Sequence, residues 1–400
     1  MTIIEFFDSE MLENILGTLI FHPERVILFG KDYKKIEGFQ KRILPILSKK
    51  GIKTEISVIS VNTNDFFAVK KMLYELTDSY PDCVFDLLGG DESVLTAMGA
   101  VSSEKNIPLC SINPRSKKVR KFFPDGTEEK KDFDVSMTTD DMITLSGGTL
   151  TAVTTIAPEN EDELLKLWSL CREDCGKWNA AIETLGVFIP SKEECPDFDG
   201  MTVRVSKKRM EEGLKSNSYR YKNLRSLLLK ICAQNLVTLT ETGSEHIFKF
   251  QNPQILSMLG KAGNVLELYT LYSVFQTKKD SSLHLVTSAA SSAVIDWENP
   301  PDDETEDDVK NEIDVLATVG AIPVFVSCKN GGVDSDELYK LNTVAERFGG
   351  KYARKILVMT YYDVTDSFVQ RAHAMNIRLI RNVQNMTHDE FVKKLADNIR

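Results

Sequence analysis

The chain predicts an α/β protein in three parts, and three observations carry the prediction. Short apolar strands alternate with amphipathic segments over residues 1–135, helical signals dominate 136–252, and a second α/β layer follows over 253–400. Apolar strands separated by crossover helices indicate a parallel sheet covered on both faces, so the first part reads as Rossmann-like. Its strands are expected at 2–7, 25–30, 53–60, 83–88 and 107–112. Helices are expected at 9–22, 33–50, 64–78 and 91–104, the second with Pro45 as a candidate kink. The polar run 124–132 breaks the alternation.

The middle part reads as a helical connector. Helical signals dominate 160–185, and a helix at 221–234 leads into a hairpin around Gly243. Helix then hairpin is the outline of a winged helix, and Lys207, Lys208, Arg209, Arg220, Lys222 and Arg225 would suit DNA. No recognition-helix signature accompanies them, so a connector with a solvated basic face is the preferred reading. The last part predicts a helix at 263–275, a strand at 283–297, an acidic loop at 298–308 and a hairpin at 309–331. A helix at 335–350, a strand at 355–361, another helix near 365–375, a strand at 377–382 and a terminal helix complete it.

Bulk properties exclude several classes. The 400 residues suit two or three domains, and 42% apolar content is ordinary for a soluble globular protein. No uninterrupted apolar run approaches the ~20 residues of a membrane span, and the N-terminus lacks the basic flank and cleavage site of a signal peptide. Seven cysteines suit reduced thiols in the cytoplasm better than a disulfide framework. Cys171 and Cys175 form a CxxxC with no second pair, a poor zinc site. The net charge of -10 argues against bulk adhesion to nucleic acid, though not against a local basic groove.

Chemistry concentrates in the hairpin "VKNEIDVLATVGAIPVFVSCKNG". Side chains alternate faces along a strand, so Glu312 and Asp314 share a face, as do Ser327 and Lys329. Pairing the strands brings all four to one surface. Neighbouring carboxylates repel unless a cation joins them or one takes a proton. A hard divalent cation suits such oxygen ligands, and a lysine beside it can stabilise charge developing on a phosphate. Glu267, on the preceding helix, offers a third carboxylate. The structural alternative is a buried Asp314–Lys329 salt bridge. For the run "DDETEDD" a solvated loop outweighs a metal site.

A second motif lies in the first part. "DLLGGDESVLTAMG" puts Gly89 and Gly90 between a strand and a helix, where open α/β sheets bind ligands. Glycines allow close backbone approach, and a helix N-terminus attracts anions. The spacing is not GxGxxG, which disfavours a nicotinamide cofactor, and a tight turn explains the glycines equally well. Asp91 can cap the helix or accept from a ribose hydroxyl or adenine amino group.

Two resemblances follow. A Glu on a helix, an Asp ending one strand and acid-x-Lys on the next resembles the PD-(D/E)xK nuclease superfamily; here Asp314 is followed by Ser327-Cys328-Lys329. Ser327 stands where the second acid is usual, and Glu312 or Glu267 is expected to supply its charge. The glycine stretch resembles the motif of CARF domains, which sense cyclic oligoadenylates in type III CRISPR defence. That motif continues with Thr and a basic residue, whereas Asp91 and Glu92 stand here.

Together the chain resembles the CRISPR-associated nucleases activated by cyclic oligoadenylate. The resemblance implies a CARF domain at 1–135, a connector at 136–252 and a restriction-endonuclease-like domain at 253–400. It implies a catalytic set of Glu267, Glu312, Asp314, Ser327 and Lys329. Manganese or magnesium would sit on Glu267, Asp314 and the Cys328 carbonyl. Cyclic tetra-adenylate would be the activator, bound across a homodimer by the loops at Asp8-Ser9, Gly30-Lys31 and Gly89-Gly90-Asp91-Glu92. The substrate would be single- or double-stranded nucleic acid, with no membrane partner. The competing reading is a non-catalytic, nucleotide-sensing DNA-binding regulator, for which Ser327 is the best argument.

Overall fold

The computed structural model describes residues 1–156, 158–190, 195–278, 284–297, 310–361 and 363–400. Strands β1 (Thr2–Phe6), β2 (Arg25–Gly30), β3 (Glu55–Ser60), β4 (Cys83–Asp86) and β5 (Leu109–Asn113) run parallel. Strands β6 (Lys118–Phe122) and β7 (Glu128–Asp132) close the sheet as an antiparallel hairpin, giving the order β3-β2-β1-β4-β5-β6-β7. The polar run at 124–132 is therefore a turn and a wholly exposed edge strand, where charge discourages further pairing. The connection from β1 leads outward to β2 and β3, and β4 returns on the other side. The loops after β1 and β4 thus diverge over a crevice.

Apolar residues fill both faces. Leu16, Leu28 and Phe39 pack on one, and Phe29, Phe85 and Met98 on the other. The helix Tyr33–Lys49 continues through Pro45.

Strand β8 (Thr149–Thr154) is the outermost strand of the C-terminal sheet, although the sequence placed it in the connector. Its partner lies well over a hundred residues on, beyond the reach of local pattern. The helical stretch 160–185 forms two helices, Glu161–Glu173 and Cys175–Gly186. Asp174 is extended between them and accepts from the Lys177 amide, capping the second.

The connector then runs through β9 (Thr202–Ser206), helices Lys207–Ser216 and Ser218–Ala233, β10 (Val237–Glu241) and β11 (Glu245–Phe250). The sheet order β10-β11-β9 completes the connectivity of a winged helix. Helix Lys207–Ser216 gave no apolar stripe to read, since it buries only Met210 and Gly213.

The C-terminal sheet adds β12 (Ser288–Asp296), β13 (Lys310–Val319), β14 (Ile322–Lys329), β15 (Arg354–Met359) and β16 (Ile377–Arg381), ordered β16-β15-β14-β13-β12-β8. The β13–β14 hairpin is antiparallel; β14, β15 and β16 run parallel. Helix Asn264–Phe275 covers the face bearing Val315, Val326 and Cys328, and helix Ser335–Gly349 covers the face bearing Leu316, Phe325 and Leu357. The acidic run 298–308 lies outside the described residues, among which no helix is long and apolar enough to cross a membrane.

N- and C-terminal layers meet through shared apolar packing at Ile322 and Tyr352, an ion pair and hydrogen bonds. Lys351 Nζ lies 2.7 Å from Glu13 Oε1, to which the Tyr352 hydroxyl also donates, and Arg115 donates to the Lys351 carbonyl.

Candidate active site and sensor loops

Opposite residues of an antiparallel pair share a face, and Val315 pairs with Val326, so Asp314 and Ser327 are neighbours. The Ser327 hydroxyl donates to Asp314 Oδ2 at 3.0 Å, and the Cys328 amide donates to the same oxygen at 2.6 Å. Ser327 and Lys329 project toward the Ser335–Gly349 helix. Cys328 points the other way, its thiol against Thr270 of the Asn264–Phe275 helix at 3.5 Å.

Lys329 does not form the Asp314 salt bridge considered from sequence. It pairs with Glu337 at 2.8 Å, and Glu337 also receives Lys340 at 3.2 Å. Burial alone would lower the Lys329 ammonium, but Glu337 and Asp314 outweigh it and raise its pKa. The ammonium is therefore a fixed, fully charged group beside Asp314. Burial raises Asp314, opposed by the Cys328 amide, Lys329 and Ser327.

Glu267 reaches the same end of the sheet from the opposite face. A bulge in β12 around Ser292 opens the edge there, and the Ser292 hydroxyl donates to Glu267 Oε2 at 3.4 Å. Burial, then Asp314 and then Glu312, push Glu267 up to about 7. Glu312 is exposed and pairs with Lys261 at 3.5 Å. Among the described residues no three His, Cys, Asp or Glu side chains form a ready-made cage. Two part-buried carboxylates that repel each other, Glu267 and Asp314, still have the chemistry of a hard-cation site that keeps water or substrate oxygens.

Asn330 was not singled out from sequence. Its amide nitrogen donates to Asn179 Oδ1 at 2.8 Å, its oxygen accepts from Thr360, and its carbonyl accepts from Asn179 Nδ2. The residue after Lys329 is thereby tied to the connector. Only its place beside "SCK" pointed to it, and Asn179 carried no signal at all.

In the N-terminal layer the crevice joins β1 and β4. Asp8 Oδ2 accepts the Gly90 amide at 3.1 Å, while Oδ1 accepts Glu10 N and the Ser9 hydroxyl. Gly90 has φ +121, which glycine alone adopts readily, and a Cβ on Gly89 would stand 2.8 Å from Asp8 Cβ. Asp91 caps the helix Glu92–Lys105 by accepting from Val94 N. Glu92 opens that helix, exposed, and Gly30-Lys31 ends β2, one strand over from β1.

Beneath these loops Glu5 and Asp86 face each other in the β1–β4 register, both buried. Among the described residues, both Glu5 oxygens and Asp86 Oδ2 have no hydrogen-bond partner. Burial raises both acids: Glu5, further raised by Asp86, goes well up, and Asp86 goes to about 7. A folded-state pKa raised this way gives stability that is fully present at low pH and lost as pH rises through about 7. The melting temperature is therefore expected to fall between pH 5.5 and 8.5 by roughly 2–4 °C. Asp86→Asn, which keeps an acceptor for Leu88 N, flattens the profile; an equally steep variant would refute the assignment.

Residues 262–396 match the family model of the Card1-like endonuclease domain. Among solved structures, protein VC1899 from Vibrio cholerae aligns over 100% of this chain and 96% of its own, with a TM-score of 0.74 and 20% identity. Can2 from Sulfobacillus thermosulfidooxidans, solved in complex with cyclic tetra-adenylate, aligns over 98% of this chain and 99% of its own, with a TM-score of 0.65 and 16% identity. These two alignments show that the fold is shared over nearly the whole chain. No protein of curated function matches.

Proposed function

We propose that the chain is a metal-dependent nuclease of type III CRISPR defence, acting on DNA or RNA as a homodimer and switched on by a cyclic oligoadenylate. The observation that carries this reading is the Card1-like match over 262–396, which contains the part-buried Asp314–Ser327–Lys329 cluster. The shared fold with the Can2 complex supports cyclic tetra-adenylate as the activator, seated on the Asp8, Gly30-Lys31 and Gly89–Glu92 loops.

Glu267, Asp314 and the Cys328 carbonyl would hold manganese or magnesium, which when bound supplies positive charge for a phosphate and an acidified water. Asp314 is oriented for this by the Ser327 hydroxyl and Cys328 amide. Lys329, held by Glu337, presents an ammonium that can orient a nucleophilic water and stabilise charge on the phosphoryl oxygens. Activation requires the ring to bind the competent dimer better than the idle one.

The test is cleavage of DNA and RNA with a panel of cyclic oligoadenylates, with and without manganese. Cleavage is expected only with both ring and metal. Ring binding without cleavage under any metal would favour the regulator reading that Ser327 motivates.

Ser327 acts on Asp314, not as a charged ligand. Ser327→Ala is expected to lower kcat by about tenfold, the value of one hydrogen bond to a charged group. Glu267→Ala and Glu312→Ala should cost more. Manganese titration of each variant separates them, and a Ser327→Ala protein as inactive as Asp314→Ala would sink this division of roles.

A further inference from the structure

A concave pocket of about 780 Å³ opens at the seam between the N- and C-terminal layers. It lies at the far end of the C-terminal sheet from the nuclease cluster. Val324 pairs with Arg354 where Lys329 pairs with Met359, five residues along the strand, or about 16 Å. It excludes the Asp8, Gly30-Lys31 and Gly89–Glu92 loops.

Its lining is strongly basic. Arg115 comes from the N-terminal layer, and Lys351, Arg354, Lys355 and Arg378 from the β15 and β16 ends. Two carboxylates share the lining. Glu346 lies 3.5 Å from Lys355, and Glu10 accepts the Lys351 amide. The Lys351 ammonium is taken by Glu13.

The arginines are left over. Arg115 and Arg378 donate to backbone carbonyls of Lys351 and Asp397. Arg354 Nη1 is shielded from solvent with no hydrogen-bond partner among the described residues. Burial first, then Arg378 and Arg115, lower the Arg354 pKa to about 10, and among the described residues none of the three guanidiniums forms an ion pair. Proteins seldom leave a buried donor unpaired or crowd cations without a counter-charge. Guanidinium forks match phosphoryl oxygens in geometry and charge.

We propose that this pocket binds a phosphorylated ligand through its phosphoryl oxygens, with Arg115, Arg354 and Arg378 as the clamp. The volume is that of a small-molecule site. Because Arg115 belongs to one layer and Arg354 and Arg378 to the other, the bound anion bridges sensor and nuclease.

The test uses the full chain with metal chelated, so it is independent of cleavage and of the proposed function. Pyrophosphate is titrated by calorimetry against wild type, Arg354→Gln and Arg354→Lys. Saturable binding, weakened at least about tenfold by Arg354→Gln and partly retained by Arg354→Lys, is expected, with affinity falling as salt rises. Arg378→Gln serves the same purpose should Arg354→Gln fail to fold.

A single-stranded 12-nucleotide oligonucleotide is the second probe. Its displacement of pyrophosphate assigns the phosphoryl group to a nucleic-acid backbone, and failure to displace assigns it to a small phosphorylated molecule. Both outcomes support the site. Absence of saturable binding by either probe overturns it, as does binding indifferent to Arg354 and Arg378. Complete displacement of pyrophosphate by cyclic tetra-adenylate would make the pocket part of the ring site and overturn it as a separate one.

Discussion

Asp314→Ala is expected to lower cleavage about 10³-fold or more, since a carboxylate ligand supplies several kcal/mol of charge stabilisation through the metal. Lys329→Ala should be comparably damaging, by removing the ammonium from the face where the phosphate would lie. Both variants should keep the oligomeric state and the ring affinity of wild type, because neither residue belongs to the Asp8–Gly90 crevice. The Lys329 variant also frees Glu337, which retains Lys340 as a partner and so stays neutralised. Single-turnover cleavage beside calorimetric ring affinity is the measurement. Cleavage within threefold of wild type in both variants would show that the site lies elsewhere.

The second large effect is at Gly90. A valine there must hold φ near +121, at a cost of about 1–3 kcal/mol, or swing the loop and break the Asp8–Gly90 bond. Either way the activator concentration for half-maximal cleavage is expected to rise at least about tenfold, while cleavage at saturating ring is retained. Crowding at Gly90 itself is modest, with Leu95 and Val94 side chains 3.5 Å from the added Cβ. The steric objection falls on Gly89, where Asp8 Cβ would be 2.8 Å away. Gly89→Ala should therefore weaken ring binding too, by displacing Asp8. Unchanged ring affinity in a folded Gly90→Val protein would leave the pair as a turn and nothing more.

Local composition was enough for much of this molecule. The five parallel strands of the N-terminal sheet were legible because each is a short apolar run bounded by turn residues, and burial on both faces demands that run. The β13–β14 hairpin was legible because polar residues at every second position on otherwise apolar strands can only line one face. Asp91 as a helix cap and the glycines at the strand end follow from backbone geometry that their side chains, or lack of them, permit. Tertiary structure decided what depends on distant partners. Strand β8 joins the C-terminal sheet by pairing with β12, and the exposed β7 is a strand only because β6 lies beside it. Lys329 turned to Glu337 instead of Asp314, and Ser327 became a donor to Asp314. Those choices are set by which helix covers which face, and no spacing in the sequence records that. The Arg115–Arg354–Arg378 cluster is the extreme case, since it exists only where the N-terminal layer meets the C-terminal one.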